Sequence, residues 1–313
     1  MESLKKLAAM RGFEFCEPMW EIPLHGSPER ALFRMPVKTD KGIFVLERFS
    51  KESLQRKKNI AETLHQLKKG GMSHILPPLG RSGEDSLFDY ENTPCQLTPY
   101  ISGTPLERPS YVNDAWRGAS LADFLADLRQ NDACVPDLMP EFSLLQFVKE
   151  FLLTLEKYDV AVYAHIFSFW KKTEEKLRPI HKKLSRFFCH GDLHCLNAIW
   201  GEKDLLFVID WEFCGKKEEN YDMANFLGCV GVEDPKALDG PLVEAFLSKV
   251  AENGLLSQAG WDALVPMTIA SRFAWLSEWL REGDEEMIAL ETDYLALLTS
   301  KAPQLHTLWN SVH

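Results

Sequence analysis

The alternation of apolar and polar positions predicts a β-rich beginning and a longer helical remainder. Residues 2–11 have the apolar spacing of a short amphipathic helix. A second helix is predicted from about Lys51 to Lys69, where apolar side chains recur every three or four positions and Gly70 ends the run. Segments with the composition of strands lie around it, at residues 19–24, 31–37, 42–49, 75–79, 86–90 and 95–101.

Beyond Gly103 the apolar period becomes helical and stays so to the last residue. The exception is residues 186–213, which have the pattern of a loop, a strand, a turn and a second strand. A chain of 313 residues is also near the length at which single cores stop growing. We therefore expect an α+β fold in two parts, residues 1–101 and residues 102–313.

Composition narrows the functional classes. The chain is 45% hydrophobic and 26% charged, which is typical of a folded protein rather than a disordered one. Its formal net charge is -11, from 46 acidic and 35 basic residues, and this balance disfavours nucleic acid as a partner. We expect most of the acidic surplus, and basic clusters such as residues 56–58, to form solvated surface.

Targeting and membrane signals are missing from the pattern. No apolar run near the first residue has the length of a signal-peptide core, and no stretch reaches the roughly 18 apolar residues that a spanning helix needs. The seven cysteines are scattered and form no CxxC pair. We therefore expect free thiols and a cytoplasmic protein with no membrane partner. The oligomeric state is left open.

The strongest chemical signal is CHGDLHCLNAIW followed by LLFVIDWEF. Gly191 inside the sequence His190-Gly191-Asp192 favours a turn over a helix. AIW and LLFVI have the pattern of a hairpin, which folds Asp210 back beside Asn197. One carboxylate, one amide oxygen and a second carboxylate then surround a common point. Hard oxygen ligands of this kind suit Mg²⁺.

A zinc cluster of Cys189, His190, His194 and Cys195 is the alternative for this segment. Ligands in the pattern HxxxH need a helix to bring them together, and Gly191 argues against one. No distant pair of Cys or His residues completes such a site in the sequence. We therefore prefer the magnesium interpretation.

The two motifs resemble those of a known family. HGDLHCLN is similar to the HxDxxxxN catalytic loop, and IDWE to the metal-binding segment, of the aminoglycoside phosphotransferase and choline kinase-like family. PYISGTPL resembles the hinge of that family, and YDMANFLG its helix after the metal-binding segment. The resemblance implies a two-lobed protein-kinase-like fold. Residues 1–101 would be the nucleotide-binding lobe and residues 102–313 the catalytic and acceptor-binding lobe.

The resemblance also implies a reaction. The γ-phosphoryl group of ATP would pass, with Mg²⁺, to a hydroxyl of a small molecule such as an amino alcohol, a sugar, or a homoserine-like or aminoglycoside-like compound. Asp192 would accept or orient the proton of the hydroxyl, and Asn197 and Asp210 would coordinate magnesium. The choice between ATP and GTP, and the identity of the acceptor, stay open.

Further residues receive implied roles around this centre. Glu212 would be a metal ligand, directly or through water. His190 would brace the catalytic loop through the backbone, and Asp222 would tether the same loop from the following helix.

Nucleotide contacts are implied at the loop between the first strands and at the hinge. Gly26 and Ser27 lie where the family has its phosphate-covering loop, and an ordinary turn is the alternative. Pro99 would offer its carbonyl to adenine, and Ile101 its N–H.

The strand VLER departs from the family pattern. The family usually has VLK there, with the lysine reaching the phosphates, whereas this chain has Glu47 followed by Arg48. Strand alternation directs these two side chains to opposite faces, so both cannot serve. We expect Arg48 to supply the phosphate cation and Glu62 to be its partner on the helix, with a solvent-exposed Glu62 as the alternative.

Aromatic residues recur at helical spacing in SRFAWLSEWLR. The first interpretation is that Phe273, Trp275 and Trp279 form a core-facing stripe. The alternative is that one tryptophan forms a wall of the acceptor pocket.

Two other functional classes are open at this point. A catalytically weak, nucleotide-binding pseudokinase is favoured by Glu47 and opposed by the intact Asp192, Asn197 and Asp210. A protein kinase acting on Ser or Thr is opposed by the lack of an APE-type segment and of a long activation loop before Tyr221.

Overall fold

The computed structural model describes residues 2–22, 24 and 31–313. In these ranges a five-stranded antiparallel sheet comes first and a mostly helical part follows. This architecture confirms the predicted α+β class. The elements up to residue 101 are α1 Glu2–Arg11, β1 Cys16–Pro18, β2 Phe33–Thr39, β3 Gly42–Arg48, α2 Leu54–Lys69, α3 Gly83–Ser86, β4 Leu87–Tyr90 and β5 Thr93–Pro99.

The second part contains seven helices and two strand pairs within the described residues. Arg186–Cys189 pairs with Gly215–Glu218, and Ala198–Trp200 pairs with Leu205–Val208, both antiparallel. The elements are α4 Ala115–Gln130, α5 Leu144–Tyr158, α6 Val160–His181, β6 Arg186–Cys189, β7 Ala198–Trp200, β8 Leu205–Val208, β9 Gly215–Glu218, α7 Tyr221–Glu233, α8 Pro241–Glu252, α9 Gln258–Glu282 and α10 Glu285–Trp309.

The first sheet has the strand order β1-β2-β3-β5-β4, so β3 is its central strand. Phe44 and Leu46 on β3 are buried against α1, whereas the alternate residues Ile43 and Val45 are partly buried on the other face. Because side chains alternate along a strand, Glu47 lies on the face opposite to that of Leu46. This face looks toward α2 and the helical part, as the ion pairs described below show.

Two predicted strands are wrong. Residues 19–22 form a turn, in which the N–H of Ile22 donates to the carbonyl of Met19 at 3.3 Å, and the strand is the earlier β1. Residues 75–79 contain a single bridge, from Ile75 to Val208, rather than a strand. In both segments the backbone hydrogen bonds go to turns or to distant residues, which apolar patterning does not reveal.

Two hydrophobic clusters fill the described molecule. The smaller one joins α1 to the first sheet. The larger one extends through the helices from α4 to α10 and also includes Ile60, Leu64 and Leu67 of α2. Helix α2 therefore packs against the helical part although its sequence lies within residues 1–101. The division at residue 101 into two functional lobes stays a prediction.

The structure bears on two expectations, the state of the cysteines and the presence of membrane-spanning helices. All seven cysteines lie in the described ranges and are free thiols, as predicted. None of the described helices combines the length and the apolar character needed to cross a membrane.

Candidate active site

The turn after β6 brings the catalytic loop, residues 190–197, against the segment formed by residues 210–214. Gly191 has a φ of +87°, and a Cβ on it would lie 2.1 Å from the carbonyl oxygen of Phe213. Only glycine fits here without moving the backbone, because the conformation is left-handed and the approach is close. The two segments that hold the motif residues are therefore in direct backbone contact.

Asp222, in the first turn of α7, holds the catalytic loop through its backbone. Its carboxylate oxygens accept the N–H groups of His190 at 2.8 Å and Gly191 at 2.7 Å. Burial raises the pKa of the Asp222 carboxyl, while His190 and the two N–H groups act in the opposite direction. These contacts are the ones that a tethering role requires, and the role itself stays a prediction.

His190 links the catalytic loop to the end of β8. Its Nδ1 atom accepts the backbone N–H of Asp192 at 3.2 Å, so Nε2 has the proton and donates to the carbonyl of Ile209 at 2.9 Å. The imidazole also contacts the ring of Trp211, with 4.6 Å between centroids. The ring is thus fixed on both sides, as the predicted bracing role requires.

Asn197 orients the carboxylate of Asp192. Its Nδ2 group donates to the backbone carbonyl of Asp192 at 2.9 Å and to Oδ2 of the same residue at 3.1 Å. Asp192 is only 7% exposed, so its carboxylate has a defined position at the base of the site. Since the amide nitrogen of Asn197 is used by Asp192, its Oδ1 atom is the one available to a metal ion.

The predicted hairpin brings Asp210 beside Asn197. Ala198 on β7 pairs with Val208 on β8, and the N–H of Ile209 donates to the carbonyl of Asn197 at 2.9 Å. Asp210 follows at once, with φ 63° and ψ 64°. This left-handed conformation is uncommon for a residue other than glycine and is frequent at functional sites.

The donor set fits a magnesium ion that takes part of its shell from phosphates. Among the described residues, no group of three or more His, Cys, Asp or Glu side chains is arranged to hold a metal ion by itself. An amide oxygen from Asn197 and a carboxylate from Asp210 are hard ligands of the kind that Mg²⁺ takes from proteins when it binds with a nucleotide. The assignment of these ligands stays a prediction.

Glu212 contacts a lysine that the sequence analysis did not select. Its Oε1 atom accepts a hydrogen bond from the ammonium of Lys57 on α2. The same ammonium donates to Oε1 of Glu47 on β3 at 2.7 Å. The expectation that residues 56–58 form a solvated surface is therefore wrong for Lys57, which is 5% exposed. The predicted role of Glu212 as a metal ligand stays a prediction.

Arg48 and Glu62 contact other parts of the first lobe. The guanidinium of Arg48 pairs with Glu91 and lies over the ring of Tyr90, 5.0 Å from its centroid. The carboxylate of Glu62 accepts the N–H of Gly83 at 2.7 Å. Arg48 and Glu62 thus have different partners in the structure. The roles of Arg48 as the phosphate cation and of Glu62 as its partner stay predictions.

The remaining residues that were predicted to contact the nucleotide lie at the hinge and in the loop between the first strands. The N–H of Tyr100 donates to the carbonyl of Ile43 at 2.9 Å. Because the carbonyl and N–H of a trans peptide point in opposite directions, the carbonyl of Pro99 points away from β3. Ile101 lies in the loop just beyond β5. Gly26 and Ser27 lie outside the described residues.

His194 lies next to the carboxylate of Asp192. Its Nδ1 atom accepts the N–H of Leu196 at 3.3 Å, so Nε2 has the proton and is 3.8 Å from Oδ1 of Asp192. Burial lowers the pKa of the His194 imidazole, although the carboxylate of Asp192 acts in the opposite direction. The imidazole is therefore neutral at pH 7 and presents an N–H toward the side of Asp192 that Asn197 does not occupy.

Trp275 on α9 connects to the catalytic loop through α7. Its indole N–H donates to Oδ1 of Asn225 at 3.1 Å, and Nδ2 of Asn225 donates to the carbonyl of Leu193 at 3.2 Å. The ring centroid of Trp275 is 6.2 Å from that of His194. The core interpretation is right for Phe273, which is fully buried, whereas Trp275 is only partly buried.

Lys57, His194 and Asn225 contact the site but were not predicted from the sequence, and only Lys57 had a signal in the pattern. Lys57 falls at helical spacing with Ile60, Ala61 and Leu64, all of which are buried, so a lysine on the apolar face of α2 was visible in the pattern. His194 and Asn225 gave no signal of their own, because their roles depend on which helices and loops meet in space.

Comparison with known proteins concerns the family and the fold of the chain. A family model described as a phosphotransferase enzyme family matches residues 34–266. No curated protein matches the chain. Among solved structures, aminoglycoside 2'-phosphotransferase-IIIa in complex with GDP is similar with a TM-score of 0.63 and 13% identity, covering 96% of this chain and 97% of that one.

Two further structures have the same fold. Choline kinase LicA from Streptococcus pneumoniae has a TM-score of 0.62 and 18% identity, covering 95% of this chain and 97% of that one. Amicoumacin kinase hAmiN, in a complex that contains AMP-PNP and Ca²⁺, has a TM-score of 0.64 and 14% identity, covering 95% of this chain and 92% of that one. At such identities the similarity concerns the fold alone, and it confirms the predicted kinase-like fold.

Proposed function

Since the chain belongs to the phosphotransferase enzyme family, we propose that it moves the γ-phosphoryl group of ATP to a hydroxyl of a small molecule, with Mg²⁺ as the metal. The observation that supports this most is the hydrogen bond between Asp192 and Asn197, next to a hairpin that ends at Asp210. In this proposal the proton acceptor and the two oxygen ligands for a metal ion would lie side by side. The free thiols fit action in the reducing cytoplasm.

Asp192 acts on the acceptor hydroxyl in this proposal. Its Oδ2 atom is bonded to Asn197, which leaves Oδ1, on the side of His194, to accept the hydrogen bond of the hydroxyl. The proton moves to this carboxylate as the acceptor oxygen bonds to the γ-phosphorus and the bond to the bridging oxygen of ADP breaks. A positioned base of this kind contributes about 10²–10⁴ to the rate.

Asn197 and Asp210 position the nucleotide phosphates. A magnesium ion bound with the nucleotide would neutralise part of the phosphate charge during transfer. The backbone hydrogen bond from Ile209 to Asn197 keeps the two ligand residues at a fixed separation. His190 bonds to the carbonyl of Ile209, so the same hairpin is also tied to Asp192.

The base of the nucleotide would bind at the hinge after β5. The carbonyl of Pro99 points away from β3 and would be available to the base there. The N–H of Ile101 would be the matching donor, since an adenine offers a donor and an acceptor on one edge. This pairing favours ATP in the proposal.

The acceptor would lie over His194 and Trp275. The neutral imidazole of His194 offers an N–H near Asp192, and Trp275 offers a partly buried aromatic surface 6.2 Å away between ring centroids. A small molecule with a hydroxyl beside an apolar or ring-shaped body suits such a site. The candidate classes remain amino alcohols, sugars, and homoserine-like and aminoglycoside-like compounds.

A screen for acceptor-stimulated release of ADP tests the proposal. The purified protein is incubated with ATP, Mg²⁺ and single members of each acceptor class, and Asp192→Asn is run in parallel. We expect at least one class to raise ADP release in the wild type and not in the variant. Tight binding of ATP with Mg²⁺ and no stimulation by any class would favour the pseudokinase alternative, and phosphate incorporation into a generic protein would favour a protein kinase.

A further inference from the structure

A cluster of three charged side chains, a buried lysine between two half-buried carboxylates, joins the first sheet, α2 and the 210–214 segment. It consists of Glu47, Lys57 and Glu212 and is called the Lys57 cluster. The ammonium of Lys57 donates to Glu47 at 2.7 Å and also to Glu212. Gln96 on β5 donates to the second oxygen of Glu47 at 3.0 Å, which fixes that carboxylate from the other side.

Lys57 is charged in the folded protein. Burial by itself would lower the pKa of the ammonium, but Glu47 and Glu212 outweigh it and hold that pKa above the ordinary 10.5. Glu47 and Glu212 are half-buried, and two neighbouring carboxylates that lose the cation between them are destabilised. Without Lys57, Glu47 and Glu212 would repel each other across the same space, so Glu212 could not keep its position.

Helix α2 holds the backbone of the 210–214 segment as well as its side chain. The guanidinium of Arg56 donates to the carbonyl of Glu212 and, at 2.9 Å, to the carbonyl of Cys214. The next lysine differs, since Lys58 pairs with Glu84, whose side chain is 77% exposed. Arg56 and Lys57 thus face the segment that begins at Asp210, whereas Lys58 faces away from it.

We propose that Lys57 is a positioning residue for phosphoryl transfer. It ties Glu212 to the strand residue Glu47 and thereby keeps Asp210, two positions earlier, where the phosphates and their metal bind. It also balances one of two carboxylates that would otherwise repel a nucleotide. The inference rests on the proposed function, because it assigns Lys57 a role at the same site.

Calorimetric titration of nucleotides separates this role from a purely structural one. We expect Lys57→Met to weaken ATP binding in the presence of Mg²⁺ by about tenfold or more, the loss that accompanies one hydrogen bond to a charged group. Adenosine has no phosphates, so its affinity should stay within about twofold of wild type by the same reasoning. Lys58→Met is the matched control and should bind both ligands as the wild type does.

A charge exchange provides the second variant. The cluster has one cation and two carboxylates, a formal charge of -1, and Lys57→Glu changes this to -3. Adding Glu47→Lys restores -1 with the cation on the strand. We expect the double variant to regain most of the affinity for ATP with Mg²⁺ that Lys57→Glu loses, and thermal melting without ligand shows that each variant is folded.

The possible results separate the two hypotheses. Equal affinity of the wild type and Lys57→Met for ATP with Mg²⁺, or equal weakening of ATP and adenosine, would overturn the inference and leave the proposed function standing. If Lys57→Met does not fold, the double variant decides in its place, and a folded double variant without recovered affinity also overturns the inference. A wild-type protein that does not bind ATP with Mg²⁺ contradicts the proposed function itself.

Discussion

Asp192 is the residue on which the proposed chemistry depends. Asparagine has the same shape and still accepts a hydrogen bond, but it cannot take up a proton. We therefore expect Asp192→Asn to lower kcat by about 10²–10⁴, with ATP affinity close to that of the wild type. Steady-state kinetics with the acceptor found by screening, together with calorimetry, measure the two quantities. Asp89→Asn, at an exposed position on β4, is the control, and a near-normal kcat in Asp192→Asn would remove this residue from its role.

His194 gives the molecule a pH dependence of stability with a definite sign. Burial lowers the pKa of its imidazole in the folded state below the ordinary 6.5, so the unfolded chain binds a proton at a higher pH than the folded one. Stability therefore falls as the pH decreases below about 6.5. We expect His194→Gln to reduce this fall, measured by denaturant unfolding at a series of pH values from about 7.5 to 5.

The control for His194 is His306→Gln, because His306 is exposed at the end of α10. The stability of the His306→Gln variant should depend on pH as that of the wild type does. If His194→Gln also followed that profile, the imidazole would titrate in the same way in the folded and unfolded states, and its neutral form beside Asp192 would have to be abandoned.

The limits of sequence reasoning are clear at the pair Glu47 and Arg48. Strand alternation correctly separates these side chains onto opposite faces of β3. It does not say which face meets α2, because that depends on how the sheet packs against distant helices. The family pattern favoured a cation on the strand, and the structure instead has Lys57 on the helix, with Glu47 as its partner. The proximity of Asn197 and Asp210 could be predicted because both residues lie on one local hairpin, and their roles stay predictions.

At the scale of elements, α9 is the helix that should contribute most to acceptor binding. Trp275 reaches the catalytic loop through Asn225 and lies near His194. We expect Trp275→Leu to raise KM for the acceptor, by about threefold to tenfold for the loss of one aromatic contact of about 0.5–1.5 kcal/mol, with ATP affinity unchanged. Trp20→Leu, at a position that is 70% exposed, is the control.

Kinetics with varied acceptor and fixed ATP distinguish the outcomes for α9. An unchanged acceptor KM in Trp275→Leu, with lower thermal stability, would return this residue to the core-facing interpretation. The core interpretation already describes Phe273, whose ring meets that of Trp170 at 5.6 Å between centroids. Helical spacing alone cannot separate the two interpretations, since both faces of α9 pack against other elements.

Some elements were predicted correctly and others were not, and the difference has a physical reason. Strands β3 and β5 and helix α2 were recognised because their apolar period is long and regular. Residues 19–22 and 75–79 are not strands, because a few apolar residues in a row are also typical of loops that pass over a core. Helix α2 begins at Leu54 rather than near Lys51, after a short turn capped by Ser50.

At the scale of the whole molecule, α2 determines how the two parts are connected. It packs through Ile60 and Leu64 against the helical core, and it bonds through Lys57 to the central strand of the first sheet. A rearrangement of the sheet relative to the helical part would have to break this ion pair or move α2 with the sheet. The sequence predicted two parts but not this connection, because the apolar face of α2 does not say which neighbour covers it.

A nucleotide bound between the two parts should stabilise the molecule as a whole. A ligand that binds only the folded chain adds about 2.7 kcal/mol at a hundredfold excess over its Kd. The shift in Tm per kcal/mol becomes smaller as chains become longer, and it is about 2 °C at the upper end of the range of roughly 150–250 residues. At that value, a rise in Tm of about 5 °C is expected for ATP with Mg²⁺ bound to this chain of 313 residues. ATP with a chelator should give less, since the phosphates then lie near the carboxylate of Asp210 without a metal ion between them. In Asp210→Ala the melting curves with Mg²⁺ and with the chelator should coincide, because the variant lacks the carboxylate that makes ATP binding depend on the metal. In the control Asp89→Ala the two melting curves should stay apart. A persistent effect of Mg²⁺ in Asp210→Ala, measured by scanning fluorimetry, would contradict the assignment of Asp210 as a metal ligand.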